Sequence, residues 1–220
     1  MNRAVFLDRD GTINEIVSFP ELGLLESPLN TEQFSLLPGA AKAIRILNRL
    51  GLKVIIASNQ PSIAKGKMTE EAFERVRSKM RKELAENGAH VDAEYYCFHH
   101  PLARDARYRV GCECRKPKPG LLLQAAKDHG LDLSKCYVVG DSLADIKASR
   151  AVGCRTFLIG NFKCDLCRLM ENERVNPDLI VPNLLAAAGI IEKEMNNDVK
   201  SGLTVAQVLN RARYYSARVW

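Results

Sequence analysis

The chain is poor in aromatic residues: 6% are Phe, Trp or Tyr, and there is a single Trp. No basic patch is interleaved with aromatics, which argues against a stacking platform for single-stranded nucleic acid. No run of about 18 apolar residues occurs, so no transmembrane helix is expected. No internal repeat or low-complexity tract is visible. The opening segment, Arg3 to Leu7, is too short and wrongly flanked for the apolar core of a secretory signal. A cytoplasmic protein is therefore expected. An acidic excess is missing too: 32 Lys and Arg face 26 Asp and Glu, for a net charge of +6. That balance suits an anionic partner, and it does not separate phosphorylated metabolites from nucleic acid. The seven cysteines are odd in number and unevenly spread. In such a chain, metal ligation or buried thiols fit better than a disulfide framework.

What remains is an ordinary globular balance over 220 residues, 46% hydrophobic and 26% charged. That is enough for one domain with a sizeable core. Strand-like and helix-like segments alternate. Ala4-Val5-Phe6-Leu7 is an apolar stretch, and an irregular segment follows from Asn14 to Leu37. Pro38-Gly39 opens an amphipathic helix over 40–50, which Gly51 stops. Lys53 to Ala57 reads as a buried parallel strand rich in β-branched residues. Thr69 caps a helix that ends near Asn87-Gly88. A short strand spans Ala93 to Cys97, and residues 98–116 are irregular. Pro119-Gly120 opens a helix closed by Gly130. Further strands are expected at 136–139, 155–159 and 178–181, with a helix from Leu143 to Val152. The tail from about Asn196 is polar and becomes helix-like over 204–215. Repeated β-α units imply an α/β fold: a Rossmann-like three-layer sandwich with a mainly parallel sheet between two helix layers. The expected division is a domain over 1–190 and a tail over 191–220.

Four polar signatures punctuate this pattern. They are Asp8-x-Asp10-Gly11-Thr12, Ser58-Asn59-Gln60, Arg115-Lys116-Pro117 and Gly140-Asp141-Ser142-x-x-Asp145. Three of them follow apolar strands, where open α/β sheets place ligand chemistry. Asp8 and Asp10 can face one reacting atom, one as nucleophile and one as general acid/base. A second constellation is Cys97-x-His99-x12-Cys112-x-Cys114. Three thiolates and an imidazole make a closed tetrahedral zinc site of the structural type. The adjacent His100 is an alternative to His99 on spacing alone. Cys164-Asp165-Leu166-Cys167 has no partner pair, and two plain thiols are the favoured reading. Cys136 and Cys154 border apolar segments and read as core residues.

Together the four signatures resemble the haloacid dehalogenase (HAD) superfamily of phosphatases, over about residues 4–160. The resemblance implies that Asp8 is the nucleophile and Asp10 the acid/base. It implies magnesium held by Asp8, Asp141 and the main-chain carbonyl of Asp10, with Asp145 orienting its neighbours. Several carboxylates facing a phosphate in one crevice repel unless a divalent cation joins them. Gly11, Thr12, Ser58 and Asn59 would meet the substrate, and Lys116 would supply a fixed positive charge. The Cys/His loop resembles a zinc-loop branch without a large cap. This branch includes D-glycero-D-manno-heptose 1,7-bisphosphate 7-phosphatases and histidinol-phosphate phosphatases. By that resemblance His99 is the zinc ligand, and the quoted stretches look closest to the heptose group. The segment 14–37 is longer than expected for that group. The zinc loop ends at Arg115-Lys116, so Arg115 could hold a second phosphate by fork-like contact, or lie on the surface beside the zinc.

The resulting expectation is a Mg2+-dependent, Zn2+-containing phosphomonoesterase removing the 7-phosphate of a heptose bisphosphate, with histidinol phosphate as the alternative substrate. A monomer with no membrane or nucleic-acid partner is expected. A zinc-containing nucleic-acid-binding module is the rival from another class; its binding would fall steeply with salt.

Overall fold

The computed structural model describes residues 2–19, 24–160 and 174–201. The Cys164/Cys167 pair and residues 202–220 lie outside them. Six parallel strands form the central sheet: β1 (Ala4–Leu7), β4 (Lys53–Asn59), β5 (Ala93–Cys97), β6 (Tyr137–Gly140), β7 (Arg155–Ile159) and β8 (Leu179–Val181). Their spatial order is β5-β4-β1-β6-β7-β8. The chain leaves β1 for β4 and β5 on one side, then returns to β6 on the other. β1 therefore borders a topological switch point, and ligands bind outside the carboxyl ends of such strands. All four residues of β1 are buried. An unbroken apolar run rather than an alternating one is what a parallel strand covered on both faces requires.

Among the described residues, five helices cover the sheet: α1 (Ala40–Arg49), α2 (Glu70–Glu86), α3 (Gly120–His129), α4 (Leu143–Arg150) and α5 (Leu184–Ser201). On one face, α1, α2 and α5 pack with Val5, Leu7, Val54 and Ile56 of the sheet. On the other, α3 and α4 cover Ala4, Phe6, Ile55 and Val138. The strand residues thus alternate between two cores, and the result is the expected three-layer sandwich. α1 presents Ala40, Ala43, Ile44 and Leu47 inward, and each large aliphatic buried this way contributes roughly 1.5–3 kcal/mol. Thr69 caps α2: its side chain accepts from the Ala72 N–H at 3.1 Å. Such a cap contributes about 1 kcal/mol. No described helix is long and apolar enough to cross a membrane.

Two features depart from the sequence reading. The segment after β1 is not wholly irregular: β2 (Val17–Phe19) and β3 (Leu24–Glu26) pair antiparallel as a separate two-stranded ribbon. Its strands are three residues long, below the length at which alternation can be recognised. α5, over Leu184–Ser201, is a helix that the sequence reading did not place. Leu184, Ala187, Ala188, Ile191 and Met195 are its buried face, at the 3–4 residue spacing of an amphipathic helix. It packs chiefly against α1.

Candidate active site

The carboxyl ends of β1, β4 and β6 converge on one crevice. β1 delivers Asp8, whose N–H continues the ladder to the Val139 carbonyl at 3.0 Å. The chain then wraps on itself: the N–H groups of Thr12, Ile13 and Asn14 all point at the Arg9 carbonyl. Gly11 sits in this turn with φ +75°, and a Cβ there would lie 2.1 Å from the Asp141 carboxylate. Only glycine fits both the left-handed backbone and the approach of Asp141. The Thr12 hydroxyl is buried, with no hydrogen-bond partner among the described residues.

Lys116 is the cation of the crevice. Its ammonium donates to the Ala57 carbonyl at 2.8 Å and to Asp145 at 2.5 Å, and lies 3.1 Å from Asp8 Oδ1. Burial alone would favour the neutral amine, but Asp145 and Asp8 outweigh it and raise the Lys116 pKa well above its usual value. Asp145 is itself held by Ser142: the two form a capping box at the start of α4. Its position is therefore set by helix capping as well as by the lysine, and it lies between the two. The main chain of Lys116 is clamped by Asn59, whose side-chain amide accepts from the Lys116 N–H and donates to the Lys116 carbonyl, both at 3.0 Å. Asn59, expected among the residues that meet the substrate, also fixes through its side chain the loop that carries Lys116.

Asp10 is surrounded by donors. Arg9 donates to both its oxygens, at 3.0 and 3.2 Å. Asn14 donates to Oδ1 at 2.9 Å, Gln60 to Oδ2 at 2.7 Å and Ser27 to Oδ2 at 2.8 Å. Burial would raise its pKa, but these contacts prevail and hold it below the ordinary carboxylate value. Gln60 also donates to the buried Ser58 hydroxyl at 3.0 Å and accepts from Arg9 at 2.8 Å. Arg9 is fully buried and lies over the Phe73 ring. Arg9, Asn14, Ser27 and Gln60 were absent from the expected site. Gln60 follows Ser58 and Asn59 directly, and Arg9 stands between the two aspartates. Those placements were the available signals.

Asp8, Asp141 and Asp145 can offer oxygens within 4.8 Å of one another. Burial raises the Asp8 pKa from 3.8 to about 6; Lys116 opposes this and Asp145 adds to it. Burial, with Asp8 and Asp145 nearby, raises Asp141 from 3.8 to about 7. Three carboxylates share one lysine, so negative charge is in excess. The donor set is all oxygen, which fits a hard divalent cation such as magnesium. Asp8 and Asp141 are the pair available to it, because Asp145 is taken up by Lys116 and Ser142.

A linkage follows. Unfolded, both groups titrate near 3.8; folded, at about 6 and 7. The folded chain therefore holds more protons between these values. Their contribution favours folding at low pH and fades as pH rises through 6 to 7. A cation that binds only the folded chain raises Tm by mass action and competes with those protons. Magnesium is expected to raise the melting temperature clearly near pH 8 and hardly at all near pH 5. An equal gain at both, read by thermal denaturation, would contradict this.

The Cys/His loop closes a second cluster. β5 ends at Cys97, which is buried. Cys97 Sγ lies 3.7 Å from Cys112 Sγ and 2.9 Å from Cys114 Sγ, and His99 Nδ1 lies 3.2 Å from Cys114 Sγ and 3.7 Å from Cys97 Sγ. A tetrahedron with Zn–S bonds of about 2.3 Å has S···S edges of about 3.8 Å. The four atoms are thus gathered at the scale a zinc ion sets. His100 Nδ1 instead accepts from the Leu102 N–H at 3.0 Å. Arg115 donates to the His99 carbonyl at 3.1 Å. Gly120 closes the loop: its N–H donates to the Glu113 carbonyl at 3.0 Å, and a Cβ there would lie 2.3 Å from that oxygen.

Comparison with known proteins fits this geometry. Residues 113–187 match a family model described as "HAD-hyrolase-like". The D-glycero-beta-D-manno-heptose-1,7-bisphosphate 7-phosphatase of Escherichia coli K12 is 37% identical over 153 residues, 70% of this chain and 76% of that protein. The one from Photorhabdus laumondii is 36% identical over 146 residues, 66% of this chain and 73% of that protein. Among solved structures, D,D-heptose 1,7-bisphosphate phosphatase from B. bronchiseptica, complexed with magnesium and phosphate, superposes with a TM-score of 0.72. It is 28% identical and covers 88% of this chain and 99% of its own. A HAD-like phosphatase from Mesorhizobium loti superposes at 0.65 with 34% identity, covering 73% of each chain. The chain belongs to the haloacid dehalogenase-like phosphatases, the family of these heptose bisphosphate phosphatases.

Proposed function

We propose that this phosphatase removes the 7-phosphate of D-glycero-D-manno-heptose 1,7-bisphosphate through an aspartyl-phosphate on Asp8. The observation that carries the reading is the placement of Asp8 at the end of β1, 3.1 Å from the Lys116 ammonium and beside Asp141 and Asp10. The names of its relatives supply the substrate. Asp8 attacks phosphorus, the bond from phosphorus to the sugar oxygen breaks, and Asp10, which takes up a proton when the phosphate dianion binds beside it, gives that oxygen its proton. A water then attacks the aspartyl-phosphate, Asp10 takes its proton, and the bond from phosphorus to Asp8 breaks to release phosphate. Lys116 holds positive charge against the transferring oxygens throughout. Magnesium, held by Asp8, Asp141 and the Asp10 carbonyl, would neutralise the phosphoryl oxygens and the carboxylates around them.

Ser58 and the backbone of Asn59, with Gly11 and Thr12, would meet the substrate beside Asp8. Arg115, which donates to the His99 carbonyl at the end of the Cys/His loop, would take the second phosphate as a fork. Zinc on Cys97, His99, Cys112 and Cys114 would brace that loop. The test is phosphate release with magnesium from the heptose bisphosphate and from histidinol phosphate. A kcat/KM higher on the heptose ester supports the reading, and a higher value on histidinol phosphate overturns the substrate.

A further inference from the structure

We propose that Ser27, carried by the β2–β3 ribbon, is a positioning residue for the general acid/base Asp10. The proposal rests on the acid/base reading above and adds a residue that the sequence signatures do not contain. Among the described residues, four side chains hold the Asp10 carboxylate. Arg9, Asn14 and Gln60 are fully buried parts of the α/β body. Ser27 is the exception: it follows directly on β3, outside the main sheet, and its hydroxyl donates to Asp10 Oδ2 at 2.8 Å. The neighbouring Glu26 pairs with Lys67. Lys67 belongs to the loop that follows β4, so the ribbon's end is tied to the segment that runs on from Ser58 and Gln60.

The chemistry of the four partners differs. The guanidinium of Arg9 and the amide N–H groups of Asn14 and Gln60 can only donate at these contacts. A hydroxyl donates and accepts. When the carboxyl carries a proton aimed at the leaving oxygen, Oδ2 has room for fewer donors than the Arg9, Gln60 and Ser27 that meet it in this structure. A hydroxyl can turn its own proton aside and leave its oxygen in place, so Ser27 can remain beside Oδ2 before and after that proton is given away. It keeps Oδ2 aimed in both halves of the reaction without touching substrate. An acid whose orientation is lost slows the step in which it protonates a leaving oxygen, and the loss grows with the basicity of that oxygen.

The test is a series of aryl phosphates, from p-nitrophenyl to phenyl phosphate, with wild type, Ser27→Ala, Ser27→Thr and Asp10→Asn. The readout is kcat/KM, which reports phosphoryl transfer to Asp8. For Ser27→Ala the loss is expected to be small on p-nitrophenyl phosphate, whose leaving group barely needs a proton. It should rise to about tenfold on phenyl phosphate. Ser27→Thr, which keeps the hydroxyl, should restore the wild-type slope. A uniform loss across the series marks a structural role and overturns the proposal, as does no loss at all. Asp10→Asn separates the two readings. If its slope matches wild type, Asp10 is not the acid, and the inference falls with it. If it steepens and that of Ser27→Ala does not, only the role of Ser27 falls.

Discussion

Asp8→Asn is expected to lower kcat by roughly four orders of magnitude or more, as loss of a nucleophile does when the rest of a site survives. An amide oxygen is a poor nucleophile toward phosphorus, and no other group stands at the same point at the end of β1. The fold should survive, and stability should move the other way from activity. In the free protein the Asp8 carboxylate is unfavourable: burial and Asp145 raise its pKa to about 6 even with Lys116 beside it. A neutral amide removes that cost. Lys116 keeps Asp145 at 2.5 Å and the Ala57 carbonyl at 2.8 Å. Metal-free Asp8→Asn is therefore expected to melt at or above the wild-type temperature near pH 8, a trade of stability for function common at active sites. Steady-state rates, mass spectrometry for a phosphorylated chain and thermal melts check the three parts. Retained turnover would remove Asp8 from the mechanism, and a lower melting temperature would contradict the electrostatic argument.

The parts of this arrangement legible in the sequence are those fixed by local chemistry. β1, β4 and β6 are apolar runs, and their polar ends are where an open sheet exposes a crevice. Asp8, Ser58 and Asp141 could be placed there before any coordinates. The Cys/His cluster was legible because thiols and imidazoles at such spacing have few other uses. What stayed hidden depends on burial and long-range contact. A buried Arg9 reads as a surface charge until Asp10 and Gln60 are found around it. Ser27 meets Asp10 across 17 residues, through a ribbon whose strands are too short to show a pattern. Asn59 acts on Lys116 across 57 residues, and no spacing rule reaches that far. α5 is a different case: its buried face stands at helical spacing in the sequence, and the sequence reading placed no helix there.

Loss of zinc should have the second largest effect, on stability and activity together. Cys97 and Cys112 stand 15 residues apart. A cross-link over such a loop contributes about 3 kcal/mol by restricting the unfolded chain. In a domain of this size, that corresponds to a fall in Tm of roughly 6–12 °C. Burial and neighbouring thiols raise the pKa of Cys114 far above the usual value, and burial raises that of Cys97. Metal-free, the cluster is held by the weak hydrogen bonds among its thiols and His99. Activity should fall because the loop ends at Arg115 and Lys116. The Cys/His cluster, with the zinc proposed for it, and the Asn59 clamp would together fix the backbone there, and without the metal the clamp would act alone. Cys114→Ser, or exhaustive chelation, should lower Tm and kcat together; after chelation, zinc and not magnesium should restore both. Zinc content, melts and rates measured on the same samples decide it. A chelated chain that melts at the wild-type temperature would show that the loop holds its shape without a metal. Lys116 would then owe its position to Asn59, Asp145 and the packing of Gly120 on Glu113.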